Sequence, residues 1–178
     1  MMRLFVGLAI PDSICQSLLL LEGGVPGARW QSREQLHLTL RFIGDVDGRK
    51  FADIDDALSA LREPIFELEL FGVDVFTAKD PRQLWVGTRS NTALLHLQKK
   101  IDTALTRLDL PADGRKFIPH VTLARLKAPH RGKLMEYLQG FALYQSQRFA
   151  VDRFFLFRST LTANGSLYTV EEEYRLDL

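Results

Sequence analysis

The stretch Phe117-Ile-Pro-His-Val-Thr-Leu-Ala-Arg125 decides how the chain reads, because four of its residues, His120 to Leu123, recur almost unchanged as His37-Leu-Thr-Leu40. Side chains alternate between the two faces of a strand, so each copy, read as a strand, puts its His and Thr on one face and two aliphatic residues on the other. One face packs and the other is free for chemistry. Only four histidines occur in the chain, and two of them share this setting. A core strand with one hydrogen-bonded His explains either copy alone; it does not explain the pair.

A chain of 178 residues with 46% hydrophobic content is one domain, 1–178, large enough to bury a full core. Lys and Arg number 23 against 22 Asp and Glu, and the net charge of +1 gives no whole-molecule field for a polyanion, so any nucleic-acid contact is local. The lone Cys15 excludes an intramolecular disulfide, suits a reducing compartment and sits beside an apolar helical stripe, where packing is its expected job. No apolar run reaches the roughly eighteen residues of a membrane span, and Met1 to Ile10 leads straight into a capped helix rather than a cleavage site. A cytoplasmic monomer with no membrane contact is expected.

Working outward, Arg3 to Ile10 reads as a short apolar strand, and Pro11-Asp12-Ser13 starts a helix with the stripe Ile14, Leu18 and Leu21 that Gly23-Gly24 closes. The first motif strand runs from Gln35 to Ile43 and stops at Gly44-Asp45. A second helix carries Phe51, Ile54, Leu58 and Leu61 and ends before Pro64. Ile65 to Phe76 alternates as a strand, with Gly72 as a candidate bulge. Leu84-Trp-Val-Gly87 then echoes Leu4-Phe-Val-Gly7 at a separation of 80, close to the 83 that separates the motifs. A third helix starts near Ser90-Asn91 with the stripe Leu94, Ile101, Leu105 and Leu108. A short helix, Arg131 to Gln139, follows the second motif, then a strand from Gln147 to Leu161 and a closing strand from Gly165 to Leu176 joined by a hairpin across Ala163-Asn-Gly165. Each half reads strand, helix, motif strand, helix, strand, which is the pattern of a duplication.

Two similar halves packed about a pseudo-twofold axis bring the motif strands face to face, with one ligand between the histidines. In-line displacement at phosphorus needs a base on the side of attack and an acid on the side of departure. Histidine serves as either, since its ordinary pKa of about 6.5 lets both protonation states be populated near neutrality. Thr39 and Thr122 share the face of the histidines and can donate to the non-bridging oxygens. Arg41 has the parity of His37 and Thr39, so in a regular strand it points into the cleft. Arg125 has the opposite parity and reaches a ligand only through a bulge or a strand end near Ala124. Trp30 and Phe42 are candidate base-stacking rings, and His96 and His130 fall outside the site. Spacing does not choose the acid from the base.

His37-Leu-Thr-Leu40 and His120-Val-Thr-Leu123 match the paired His-x-Thr-x motifs of the two-histidine phosphoesterase superfamily, and the chain resembles its RNA 2′,3′-cyclic phosphodiesterase branch, historically called the 2′-5′ RNA ligase. The opening Arg3-Leu-Phe with Pro11, the run Leu38-Thr-Leu-Arg-Phe-Ile-Gly44, Leu84-Trp-Val-Gly87 and Pro119-His-Val-Thr-Leu-Ala-Arg125 are similar to that branch. The resemblance implies a bilobal, duplicated α+β fold with two antiparallel sheets lining a central cleft and helices outside. It also implies a site without metal or cofactor, in which His37 is the general acid, His120 the general base, and Thr39 and Thr122 hold phosphate. Its substrates would be RNA 2′,3′-cyclic phosphate ends or small nucleotide cyclic phosphates. The competing reading is a nucleotide- or RNA-end-binding module that uses the same cleft without turnover. A transition-metal hydrolase fits less well, since no carboxylate or Cys stands at ligand spacing beside either His.

Overall fold

The computed structural model describes residues 1–112 and 114–177. In chain order they form β1 (Met2–Ala9), α1 (Asp12–Leu19), β2 (Ala28–Trp30), a 3₁₀ turn (Arg33–Gln35), β3 (His37–Val46), α2 (Gly48–Ser59), β4 (Phe66–Leu68), β5 (Leu70–Val75), β6 (Gln83–Thr88), α3 (Thr92–Thr106), β7 (His120–Leu126), α4 (Arg131–Phe141), β8 (Phe149–Val151), β9 (Arg153–Thr162) and β10 (Gly165–Arg175). Three of the helices start on side-chain caps: Asp47 accepts the Lys50 N–H ahead of α2, Asn91 accepts the Leu94 N–H ahead of α3, and His130 accepts the Lys133 N–H ahead of α4. Helix α1 ends at Leu19, with two more residues of turn before the Gly23-Gly24 pair that sequence marks as its stop.

The order of the main sheet is β10-β9-β1-β3-β7-β6-β5, every pairing antiparallel, with β2 attached to β7. The two antiparallel sheets expected from sequence are its halves, β10-β9-β1-β3 and β7-β6-β5, which curl and meet at one residue pair, Leu38 opposite Val121. A separate ribbon, β4 with β8, has Glu67 opposite Ala150 at its centre. Both central pairs join residues 83 apart, the separation of the two histidines. Each half also borrows its next strand, since β9 lies against β1 and β5 against β6. The aliphatic residues of the motif strands, Leu38, Leu40, Val121 and Leu123, share one buried cluster with Ile14, Ile54, Leu58, Leu94, Ile101 and Leu134 of the helices, and this covers one face of the sheet.

Some strands differ from the sequence pattern. Ile65 to Phe76 is split at Glu69 into β4 and β5, because Leu68 and Leu70 belong to different sheets, and Gly72 does sit at a register shift with φ 74°. Gln147 to Leu161 divides at Asp152 for the same reason, into β8 of the ribbon and β9 of the main sheet. The Leu-aromatic-Val-Gly echo is displaced: Gly7 lies opposite Thr39, whereas Gly87 lies opposite His120.

A bulge in each motif strand determines which side chains reach the cleft. Val6 is opposite Arg41 and Gly7 opposite Thr39, so Leu40 is an extra residue; Leu84 is opposite Ala124 and Trp85 opposite Thr122, so Leu123 is its counterpart. An extra residue inverts the alternation beyond it. Arg41 therefore falls on the core side, 9% exposed, and not in the cleft as a regular strand would have it. Its Nε donates to Asp102 Oδ1 on α3 at 2.7 Å, and its other nitrogens donate to the carbonyls of Phe42 and Leu110. Arg125 is carried onto the open face by the matching bulge, and Phe42 is its counterpart in β3. Arg41 thus ties β3 to α3. Arg41→Met should lower the free energy of unfolding by about 1–3 kcal/mol, the cost of stranding a half-buried carboxylate and two carbonyls, while the affinity of the cleft for inorganic phosphate stays the same. Urea titration with phosphate calorimetry checks this; an unchanged unfolding midpoint with lost phosphate binding would return Arg41 to the site.

Candidate active site

The two motif histidines open β3 and β7 in matched conformations. His37 Nδ1 lies 2.7 Å from the Gln35 carbonyl and His120 Nδ1 lies 2.7 Å from the Ile118 carbonyl, in each case two residues back along the chain. A carbonyl only accepts, so Nδ1 carries the proton in both rings and Nε2 is the basic nitrogen. The Thr39 hydroxyl donates to His37 Nε2 at 3.0 Å. His120 Nε2 makes no hydrogen bond to a described residue. Each ring is clamped by aromatics: Phe5 (4.9 Å between centroids) and Tyr168 (4.7 Å, edge-on) at His37, Phe76 (4.8 Å, edge-on) and Trp85 (5.7 Å) at His120.

Burial among these rings pushes the His37 pKa down to about 4, against the opposing pull of the Gln35 carbonyl, and the charges of Arg125 and His120 lower it further. His120 is lowered too, first by burial and then by Arg125. The guanidinium of Arg125 is therefore felt at both imidazoles, and His120 at His37. The structure brings His37, Thr39, His120, Thr122 and Arg125 to one face and leaves Arg41 out.

Gln83, on the neighbouring strand, is a residue that sequence reading passed over. Its Nε2 donates to Thr122 Oγ1, and its Oε1 accepts from Arg125 Nη1 at 3.2 Å, so it spaces the two groups. The signal was its place two residues before Trp85, a polar side chain on the face that holds His120. Gln35 is another: besides holding His37, its Nε2 donates to the Ser166 carbonyl in the β9–β10 hairpin at 3.0 Å. Trp30 packs on Tyr137 of α4 (5.8 Å) beside the core, so it is no platform in the cleft, whereas Phe42 is half-exposed under the Arg3 guanidinium. His96 faces Glu63 at 3.2 Å and His130 caps α4 by accepting the Lys133 N–H, so both serve the surface, as sequence suggested. Among the described residues, no three His, Cys, Asp or Glu side chains gather as a metal site would require.

The sequence signature of the 2′-5′ RNA ligase superfamily matches residues 11–162. The chain belongs to that superfamily. Relatives named RNA 2′,3′-cyclic phosphodiesterase include one from Archaeoglobus fulgidus, 33% identical over 174 residues (94% of this chain, 96% of the relative), and one from Thermotoga maritima, 33% identical over 156 residues (85% and 81%). Among solved structures, a Thermus thermophilus protein superposes with a TM-score of 0.82 at 26% identity over 98% of this chain and 97% of its own. E. coli LigT crystallised with 3′-AMP has the same fold, with a TM-score of 0.82, 22% identity and 99% of both chains covered. Within this superfamily fold, the depressed histidines set a pH dependence. Between about pH 6.5 and 4 the unfolded chain holds a proton that folded His37 does not, so stability falls as pH drops through that window. An anion in the cleft favours the imidazolium, so sulfate should raise the melting temperature more at about pH 5.5 than at about pH 8. That excess should vanish in the His37→Gln, His120→Gln double variant; equal protection at both pH values would remove the histidines from the anion site.

Proposed function

We propose that the protein is an RNA 2′,3′-cyclic phosphodiesterase that opens a terminal cyclic phosphate to a 2′-phosphomonoester. The observation that carries this reading is the matched pair of imidazoles, each with Nδ1 committed to a carbonyl and Nε2 turned to the open face, where His37 Nε2 meets only the Thr39 hydroxyl and His120 Nε2 meets no described residue. The names of the relatives support the same activity. The recurrence of the 83-residue spacing in both central strand pairs supports a single domain that arose by duplication, with two equivalent halves serving one substrate.

In the proposed reaction His120 Nε2 takes a proton from water as the water oxygen bonds to phosphorus. The bond from phosphorus to the 3′-oxygen breaks, and His37 Nε2–H hands that oxygen a proton, so each turnover leaves the protons exchanged and the rings reset through solvent. Thr39, Thr122 and Arg125 donate to the non-bridging oxygens, whose charge grows in the transition state. Arg41 is not part of this set. The acid form of His37 is scarce in the free protein and is favoured by the charge of the bound phosphate. An RNA 5′-hydroxyl in place of water gives a 2′-5′ linkage by the same displacement, without ATP. A terminal RNA cyclic phosphate or a small nucleotide cyclic phosphate meets the requirements of the site, and the protein acts as a cytoplasmic monomer. No helix among the described residues is long and apolar enough to cross a membrane.

Three outcomes test the reaction. His37→Ala and His120→Ala should each lower turnover by at least about a hundredfold, and the double variant should lose little more than the worse single. The bell of kcat/KM against pH, which reports the free protein, should be centred on the acid side of about 6.5, because both histidines are lowered. Multiplying losses, or a flat profile, would sink the shared-site reading. With acid and base fixed on opposite sides of phosphorus, hydrolysis of a cyclic-ended RNA in excess chelator should give nucleoside 2′-phosphate alone at an undiminished rate. Mixed isomers, or activity lost to chelator and restored by a divalent ion, would refute the proposed chemistry.

A further inference from the structure

Arg29 of β2 lies directly opposite Arg125 of β7, and residues paired in this way project from the same face of a sheet. Two like charges across one ladder oppose folding unless something of opposite sign comes between them. Neither has a carboxylate partner among the described residues, whereas Arg33, Arg41, Arg89, Arg153 and Arg158 are each ion-paired. Arg125 has one hydrogen bond, to Gln83, and Arg29 has one, from Nη2 to the Asn164 carbonyl at 2.8 Å in the turn between β9 and β10. That bond holds the Arg29 head across the cleft beside Gln35, the residue that orients His37; a Cβ built on Gly165 would stand 3.0 Å from Arg29 Nη2 and 3.3 Å from Gln35 Nε2. Arg29 is thus a positioned cation with most of its donors unused, next to a site that already receives one phosphate.

We propose that Arg29 binds a second phosphoryl group, the one on the 5′-oxygen of the terminal nucleoside, and so selects RNA ends over free nucleoside cyclic phosphates. The inference rests on the phosphodiesterase reading. In an RNA end that group is the internucleotide phosphodiester; in a nucleotide it is a terminal phosphate. The substrates are therefore a nucleoside 2′,3′-cyclic phosphate, its 5′-phosphorylated form, a dinucleotide ending in a 2′,3′-cyclic phosphate, and the same dinucleotide with an uncharged methylphosphonate linkage.

Wild-type protein should favour the charged dinucleotide over the nucleoside cyclic phosphate by about tenfold to a hundredfold in kcat/KM, the range expected of a charge-assisted contact. Arg29→Ala should collapse that ratio, and so should the methylphosphonate. The two changes together should do no more than either alone. Equal turnover of charged and neutral dinucleotides by wild-type protein would overturn the inference, and needs no variant to fold. So would an Arg29→Ala ratio that stays at the wild-type value. A gain confined to the 5′-phosphorylated nucleoside would overturn the assignment to RNA. Failure of wild-type protein to turn over any of the four substrates would instead remove the phosphodiesterase reading itself.

Discussion

The antiparallel pairing of Leu38 with Val121 is the contact on which the site depends. Both side chains are fully buried, and each stands between a His and a Thr that face the other way. A single backbone pairing therefore seals the core on one side of the sheet and sets the two histidines against one cleft on the other. Strand geometry fixes this more tightly than loops would, because the imidazoles follow the ladder one residue away from the junction. The β4–β8 ribbon repeats the 83-residue relation far along the chain, so the halves are held at two points in one symmetric sense.

Which residues reach the cleft depends on the bulges at Leu40 and Leu123. Without them, Arg41 and Ala124 would face the ligand, while Phe42 and Arg125 would be turned to the core. With them, the two halves of the cleft part company after sharing His and Thr: one offers the ring of Phe42, the other the guanidinium of Arg125. Two strands with the same His-x-Thr-x phrase thus present an aromatic on one side of the cleft and a cation on the other.

The elements whose pattern is local were legible in the sequence. The repeated His-x-Thr-x phrase, the stripes of the long helices, the Gly72 bulge and the hairpin at Ala163-Asn164 all announce themselves within a few residues. The remainder depended on partners. Whether Arg41 points out or in is decided by how many residues of β1 oppose β3, and no property of Leu38 to Phe42 alone records that. The same holds for the two-residue displacement of Gly87 against Gly7, and for the splitting of Ile65 to Phe76 between two sheets. Gln83 and Gln35 were missed for a related reason: a glutamine becomes part of a site only through the strand or hairpin it is laid against.

The electrostatics of the cleft follow from the use of carbonyls rather than carboxylates to orient the rings. Neither His37 nor His120 has a carboxylate partner among the described residues. A carboxylate at Nδ1 would fix the same tautomer, but it would also raise the pKa and set a negative charge beside the incoming phosphate. A backbone carbonyl fixes the tautomer at little electrostatic cost. The free site is therefore electropositive yet carries neutral imidazoles, and its proton affinity rises when an anion enters. On the proposed reaction the phosphate itself promotes protonation of the acid that expels its 3′-oxygen, so an empty cleft holds little of the reactive state and an occupied one favours it.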